Sequence, residues 1–447
     1  MEAKVAIVKN STTPNEKRIC EMVHEVLELS GGLESIIKQG DVVAIKGNFF
    51  APYPPPVSVD RRVAAALIRE CRAAGASRVI LTEAVSIGTK LGRGSSTRWI
   101  MDELGVTYAA QEAGGEVLCL EDDERVEVKV PGAISIGTIK YPKTLLDCDV
   151  LINLPCMKTH GFCLVTLGVK NFQGVLIDEQ KYYAHRDDLE QKLVDVFKIR
   201  KPDLTLMDGI TAMEGNGSGE HGTPHPMNLL IAGRDMVAVD AVTSACMGID
   251  DPMDVTATRL ADFDGIGCGD LSQIEVVGSS IEQVREKFEY PDKFKKEIDR
   301  GAIGVFRNVE VHIGGACRMC WNMATNIGKT LSRYTDETWY LVVGADPKFP
   351  GSSEVPVKNV VFIGDCACST TGNLKDLRNR ILLEGEGVLA MGCPPYRPAS
   401  AIVEDYLIRR GLLTREELEE KNRVSRIRTY EYYKTIDPTW RPLSEQE

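Results

Sequence analysis

Short apolar runs alternate along this chain with longer stretches in which apolar residues recur at helical spacing. Ala3 to Val8 reads as a strand. Glu16 to Leu29 reads as a helix, with Ile19, Met22, Val23, Val26 and Leu27 on one face and a stop at Gly31-Gly32. Asp41 to Ile45 is a second buried strand. It runs through Lys46-Gly47-Asn48-Phe49 into APYPPP, a proline run that neither a helix nor a central strand can continue. Helices are predicted over Val59 to Ala74, Ser96 to Leu104, His185 to Ile199 and Asp235 to Met247, and strands over Arg78 to Leu81, Glu116 to Leu120, Asp203 to Met207 and Asn228 to Ala232. Arg125 to Val130 and Ile134 to Ile139 alternate about Pro131-Gly132 and predict a hairpin. The alternation as a whole predicts an α/β fold with a doubly wound, mostly parallel sheet.

One stretch concentrates polar chemistry. Asp149 to Gly174 opens as a buried strand (Val150, Leu151, Ile152, Leu154) and stops at Pro155. Lys158, Thr159 and His160 follow, then Thr166, Lys170 and Asn171, with glycines among them. Open α/β sheets bind ligands just beyond the carboxyl ends of their strands. Two ammonium groups, an imidazole and several hydroxyl and amide groups in that place suit an anion, a carboxylate or phosphate. His160 is the candidate acid/base, because its unperturbed pKa lies near neutrality. Lys158 and Lys170 are expected to hold the anion. Lys46 and Asn48, at the end of the second strand, can reach the same place.

Asp208 ends a later strand and is a candidate to orient His160 or bind a metal; a plain turn role before Gly209 is the alternative. Beyond it, Glu214-Gly215-Asn216-Gly217-Ser218-Gly219 lets backbone approach a ligand closely, with Glu214 and Asn216 as binding candidates and His221 and His225 in the same loop. A second glycine-bearing loop, SIGTKLGRGSS, has neither Walker nor dinucleotide spacing.

The segment LPCMKTHGFCLVTLGVKNFQG, with LTLMDGITAMEGNGSGEHGTP and IAGRDMVAVDAV, resembles the signature of the DUF362 family, proteins of unassigned activity often found beside iron–sulfur modules. The resemblance covers residues 1 to 280 or so, and it implies a Lys and an Asn at the positions of Lys46 and Asn48. The fused ferredoxin sometimes seen in the family would carry C-x-x-C-x-x-C, which this sequence lacks.

At 447 residues the chain exceeds one ordinary core. Three parts are expected: residues 1–280 as a DUF362-like α/β domain, 281–310 as a charged connector, and 311–447 as a smaller C-terminal α/β domain that contains cysteines and binds metal. A formal net charge of −12 argues against non-specific nucleic-acid binding, which needs clustered Lys and Arg. No apolar run is long enough to span a bilayer, and the first residues lack an apolar signal core, so the expected location is cytoplasmic, with no membrane partner.

The 13 cysteines do not read as a disulfide framework. Several sit inside apolar patterns. Cys317 and Cys320 instead form a C-x-x-C, while Cys366 and Cys368 follow the strand Val360 to Ile363 and Cys393 precedes Pro394-Pro395. Thiols at the ends of elements, beside Gly and Pro, are placed as metal ligands are. The expected cofactor is a [4Fe–4S] cluster on Cys317, Cys320, Cys366 and Cys393, with zinc as the alternative and Cys368 as the alternative to Cys366. The amides of Gly314, Gly315, Gly364 and Gly392 are expected to donate to sulfur.

The resulting expectation is an iron–sulfur enzyme, of redox or lyase/dehydratase type, acting on a small anionic metabolite, with an electron-transfer protein as a candidate partner. The alternative is a non-catalytic iron–sulfur or zinc protein that serves binding or assembly of a partner.

Overall fold

A computed structural model describes residues 3–86, 89–90, 94–185, 188–219, 222–291, 306–349, 355–393, 395 and 399–445. His221, Gly88, Gly92, Arg93 and residues 292–305 of the charged connector lie outside the described residues.

The strands of the larger sheet are β1 (Ala3–Lys9), β2 (Val42–Lys46), β3 (Arg78–Glu83), β4 (Glu116–Cys119), β7 (Val150–Asn153), β10 (Leu204–Gly215), β12 (Leu229–Gly233) and β13 (Ile274–Gly278), in the order β13-β1-β12-β10-β7-β2-β3-β4. β5 (Arg125–Lys129) and β6 (Thr138–Pro142) form a separate antiparallel hairpin. The run β10-β7-β2-β3-β4 is parallel; β12 is antiparallel to both its neighbours. The α/β architecture is therefore as the sequence pattern predicts, with an antiparallel insertion at β12.

Side-chain alternation sorts the strands between two faces. Val43, Ile45, Val150 and Ile152 pack under the helices Glu16–Leu29 and Arg61–Ala73. Ala44 and Leu151 face the opposite layer, which holds Leu193 and Val196 of Leu189–Ile199. Both faces are covered, so the central strands are apolar throughout and polar groups are left to the strand ends.

Two features build the ground above the carboxyl edge. β10 is long, and its far half outruns the sheet. β8 (Cys156–His160) leaves β7 at Pro155 and pairs along β10, Met213 opposite Lys158; β9 (Leu164–Thr166) folds back on β8, and β11 (Gly222–His225) on β10. Lys158, Thr159 and His160 are thus on a buried strand and not in a loop past one. The sequence hid this because Pro155 marks a strand end locally, while β10 supplies the pairing from a distance.

A second, four-stranded parallel sheet has the order β14 (Val309–Ile313), β15 (Trp339–Val343), β16 (Val360–Ile363), β17 (Val388–Ala390). The helix Arg318–Tyr334 follows β14 and covers one face with Ala399–Arg409. The spacing predicts a helix only over Glu416 to Lys421, whereas the final helix runs over Arg415–Ile436. Its end returns to the first sheet's helices: Tyr430 donates to Glu103 at 2.7 Å, Tyr433 to Asp60 at 2.9 Å, and buried Trp440 to Leu104 O at 2.9 Å. Among the described residues no helix is long and apolar enough to cross a membrane.

Candidate functional site

The carboxyl ends of β2 and β3 carry a buried ion pair. Lys46 Nζ lies 2.7 Å from Glu83 Oε1, with the two side chains 1% and 2% exposed. Lys46 also donates to Gly47 O at 2.7 Å, and Glu83 accepts from the amides of Phe49 (2.8 Å) and Ala84 (2.7 Å). A buried charge pair persists only when its remaining lone pairs and protons are met in this way.

A directed chain of side-chain amides runs beside it. Lys158 Nζ donates to Asn48 Oδ1 (2.6 Å), Asn48 Nδ2 to Asn171 Oδ1 (2.8 Å), Asn171 Nδ2 to Asn153 Oδ1 (2.8 Å), and Asn153 Nδ2 to Gly168 O (3.1 Å). Lys158 also donates to Val57 O at 2.6 Å and lies over the Phe50 ring. Burial pushes its pKa down, with opposing pulls from Cys156 and Glu83.

These groups back a cavity of about 220 Å³, lined among others by Lys46, Asn48, Glu83, His160, Thr166, Lys170, Asn171, Gln173, Lys181, His185 and Ser218. The space suits a small metabolite.

Lys170 rises from the short helix Gly168–Asn171, which no propensity would sustain alone. Its ammonium is ringed by protein yet opens on the cavity, and it donates to Gln173 Oε1. Burial lowers its pKa, against Cys163 and Glu190, and nearby Lys46 adds to the lowering. Among the described residues no carboxylate stands within ion-pair distance of it. His185 Nδ1 lies 2.7 Å from Lys181 O and so carries a proton; Nε2, 2.8 Å from Gln173 Nε2, is then the acceptor. Burial, then Lys170, lowers the His185 pKa to about 4, so the ring is neutral. Lys170, Gln173 and His185 form one hydrogen-bonded line. Lys181 donates to Val85 O at 3.0 Å, and its pKa too is lowered by burial.

His160 Nδ1 accepts the amides of Phe162 (2.9 Å) and Cys163 (3.2 Å), so the ring proton sits on Nε2. That tautomer presents a donor. Thr166 is 5% exposed, and its Oγ1 is buried without a hydrogen-bond partner at the cavity wall.

Of the residues expected from the sequence, Lys46, Asn48, His160, Thr166, Lys170 and Asn171 meet here. Lys158 stands one layer behind, through Asn48. Thr159 points the other way, donating to Gly215 O at 2.9 Å, as alternation on β8 requires. Asp208 is elsewhere: it accepts from the amides of Asp60 (2.8 Å) and Ile210 (3.0 Å), and burial, then Asp60, raises its pKa to about 7. Glu214 pairs with His225 at 3.1 Å in a clasp with Glu286, and Asn216 does not line the cavity. Glu83, Gln173, Lys181 and His185 were not singled out. Glu83 ends its strand as Lys46 does, and that rule would have found it. The spacing puts His185 at a helix start, whereas it is the C-cap of Asp178–Ala184.

The thiols form a second cluster. Cys317 caps the helix Arg318–Tyr334, Cys320 is buried in its first turn, and Cys366 and Cys393 follow β16 and β17 at the carboxyl edge of the second sheet. The Cys320 thiol is held well above its usual range, first by its hydrogen bond with Cys317, then by burial and the fields of Cys317, Cys393 and Cys366. Cys368 is turned into the core with Val342 and Phe362. Gly364, at φ +82°, brings the end of β16 against Cys320; a Cβ there would stand 3.1 Å from the sulfur. Thiolate is the donor type that soft metals take. Among the described residues no group of three His, Cys, Asp or Glu stands in metal-ligand geometry, so the thiols are neighbours and not a formed ligand shell. Three of the four glycine amides expected to face sulfur are engaged: Gly314 with Val343 O, Gly315 with Ala345 O, and Gly392 with Asp365 Oδ1.

Fold and cavity define a doubly wound α/β protein with a cationic, metabolite-sized cavity at the carboxyl edge of its sheet. The family model described as "Domain of unknown function (DUF362)" matches residues 43–245, a stretch that contains every cavity residue. The chain is 28% identical over 233 residues to the "Thylakoid-associated protein sll1697" of Synechocystis sp., covering 50% of this chain and 68% of that one. Among solved structures it is similar to the lactate racemase apoprotein from Thermoanaerobacterium thermosaccharolyticum, at 14% identity and a TM-score of 0.34; the likeness covers 48% of this chain and 52%, about half, of that one.

Proposed function

We propose that this protein is an enzyme acting on a small anionic metabolite, a carboxylate, bound in the cavity between Lys170 and His160. One observation carries the reading: Lys170 brings an ammonium without a described carboxylate partner to a small cavity that Thr166 also lines. A partly buried ammonium without a counter-charge is costly. A bound carboxylate supplies that counter-charge, with His160 in the same wall. With its pKa lowered by burial, Lys170 is suited to exchange a proton with the bound acid, and the Gln173–His185 line fixes its position. This favours a lyase or dehydratase type of step over a purely electron-carrying one.

The four thiols are assigned in the same proposal to a [4Fe–4S] cluster, or to zinc. When bound, a cluster or zinc would supply a Lewis acid or, for the cluster, an electron. Calorimetric titration with a panel of small carboxylates and phosphates tests the cavity. Binding by the native chain that is lost in Lys170→Met supports the reading; no heat from any anion sinks it. Iron, sulfide and zinc per chain, on protein prepared without oxygen, decide the metal.

A further inference from the structure

Positive charge outweighs negative on the cavity wall. Among its described residues the wall carries three ammonium groups, Lys46, Lys170 and Lys181, and one carboxylate, Glu83. Glu83 pairs with Lys46 at 2.7 Å. Lys170 donates to the neutral Gln173, and Glu190 acts on it only through its field. Lys181, on the helix Asp178–Ala184, is 3% exposed and lines the same cavity. It donates to Val85 O at 3.0 Å, and Asp178 Oδ1 stands 4.0 Å from it, at the limit of an ion pair. The other oxygen of Asp178 is held closely by Lys90, so one carboxylate is shared by two ammonium groups. Glu121 reaches Lys181 only through its field. Burial lowers the pKa of both Lys170 and Lys181, and the Lys46 ammonium adds to the lowering in each. Like charges gathered in a small, poorly hydrated space are costly unless a ligand brings the opposite charge.

The two ammonium groups left over stand on different elements. Lys170 belongs to Gly168–Asn171 and Lys181 to Asp178–Ala184. Gln173 and His185 link them: Gln173 accepts from Lys170, and His185 Nδ1 lies 2.7 Å from the Lys181 carbonyl. The His185 ring is neutral, so it joins the two anchors without adding charge. A single carboxylate on Lys170 would leave Lys181 short of a counter-charge. We propose that the ligand carries two carboxylates, one anchored on Lys170 and the other on Lys181, and that the substrate is a small dicarboxylate. The proposal rests on the reading above, that the cavity takes a small carboxylate. It adds a second anchor, and with it a ground for selection. An acid with a methyl in place of its second carboxylate leaves the Lys181 ammonium without that partner, and loses a charge-assisted hydrogen bond.

Matched acids test this on the full chain. Calorimetric titration at fixed ionic strength compares succinate with butyrate, glutarate with pentanoate, and malate with 2-hydroxybutyrate, each pair differing by a carboxylate in place of a methyl. At least one diacid should bind about tenfold or more tighter than its partner. In Lys181→Met that preference should vanish while the monoacid binds as before. Asp178→Asn removes the carboxylate that Lys181 shares with Lys90, so there the diacid should gain more affinity than the monoacid. Thermal melts confirm that the variants fold, and Asp178→Asn carries the test if Lys181→Met does not. Monoacids that bind as tightly as their diacids overturn the proposal and leave the carboxylate cavity standing. A preference that survives intact in Lys181→Met overturns it too, as does one that Asp178→Asn fails to increase. Binding by neither set sinks the carboxylate cavity itself, and this proposal with it.

Discussion

Asp240 holds Gly168: Oδ1 accepts its amide at 2.7 Å while Oδ2 accepts that of Val169 at 2.9 Å. A carboxylate on the helix Met236–Cys246 thus caps the four-residue helix that presents Lys170 and Asn171 to the cavity. No side chain fits at position 168, where a Cβ would stand 2.7 Å from that Oδ1. Asp240→Ala strands two buried amides at about 1–3 kcal/mol each. The expected outcome is a lower urea midpoint, together with weaker anion binding because Lys170 loses its support. Calorimetry on the folded variant separates the two effects.

The pH dependence of stability follows from Asp240 and Asp208, both raised to about 7 chiefly by burial. Each binds a proton in the folded chain at pH values where the unfolded chain has lost it. Their contribution is therefore complete below the unfolded pKa and is lost as pH rises toward 7 and just beyond. Between pH 5 and pH 8 the native protein should lose stability on the order of a few kcal/mol from these groups. Asp208→Asn should lose less, and paired urea melts at the two pH values check this.

Lys158 and Lys170 should separate in their effects. Lys158→Met leaves Asn48 Oδ1 and Val57 O without their donor, so it should destabilise by about 1–3 kcal/mol per orphaned acceptor. Lys170→Met removes a partly buried charge that has no described carboxylate partner and should cost little stability, yet abolish anion binding. Thermal melts and calorimetry on both variants give the comparison. Equal loss of binding with no stability difference would contradict the layering of the two lysines.

Glu83→Ala should cost about 3–5 kcal/mol, because it leaves Lys46 buried and uncompensated. Replacing both partners, as in Lys46→Met with Glu83→Leu, should recover part of that loss. A double-mutant cycle by chemical denaturation measures the recovery.

For the thiols, Cys366→Ser should lower the metal content of anaerobically prepared protein, whereas Cys368→Ser should not. Cys320 lies in the field of Cys366, while Cys368 is packed in the core. Metal and sulfide analysis of the two variants decides the point.

The sequence by itself determined the α/β class and most elements. Glu16–Leu29 and Val360–Ile363 match their predicted bounds, because an apolar period is a local property that each element carries whatever it packs against. It also placed Lys46, His160, Thr166 and Lys170 near strand ends. Only the tertiary structure decided which polar groups meet. Lys46 and Glu83 are 37 residues apart and pair because β2 and β3 are neighbours. Lys158 and Asn48, 110 residues apart, join because β8 is laid along the overhanging end of β10. Asp208, beside the same β8 at Cys156, accepts the amide of Asp60, whose carboxylate anchors Tyr433, and does not meet His160. The long final helix was hidden for a related reason: its buried residues face a partner layer far away in the chain, so its own apolar period is weak. Sheet order and strand overhang are set by the sum of many distant contacts, and no local period encodes them.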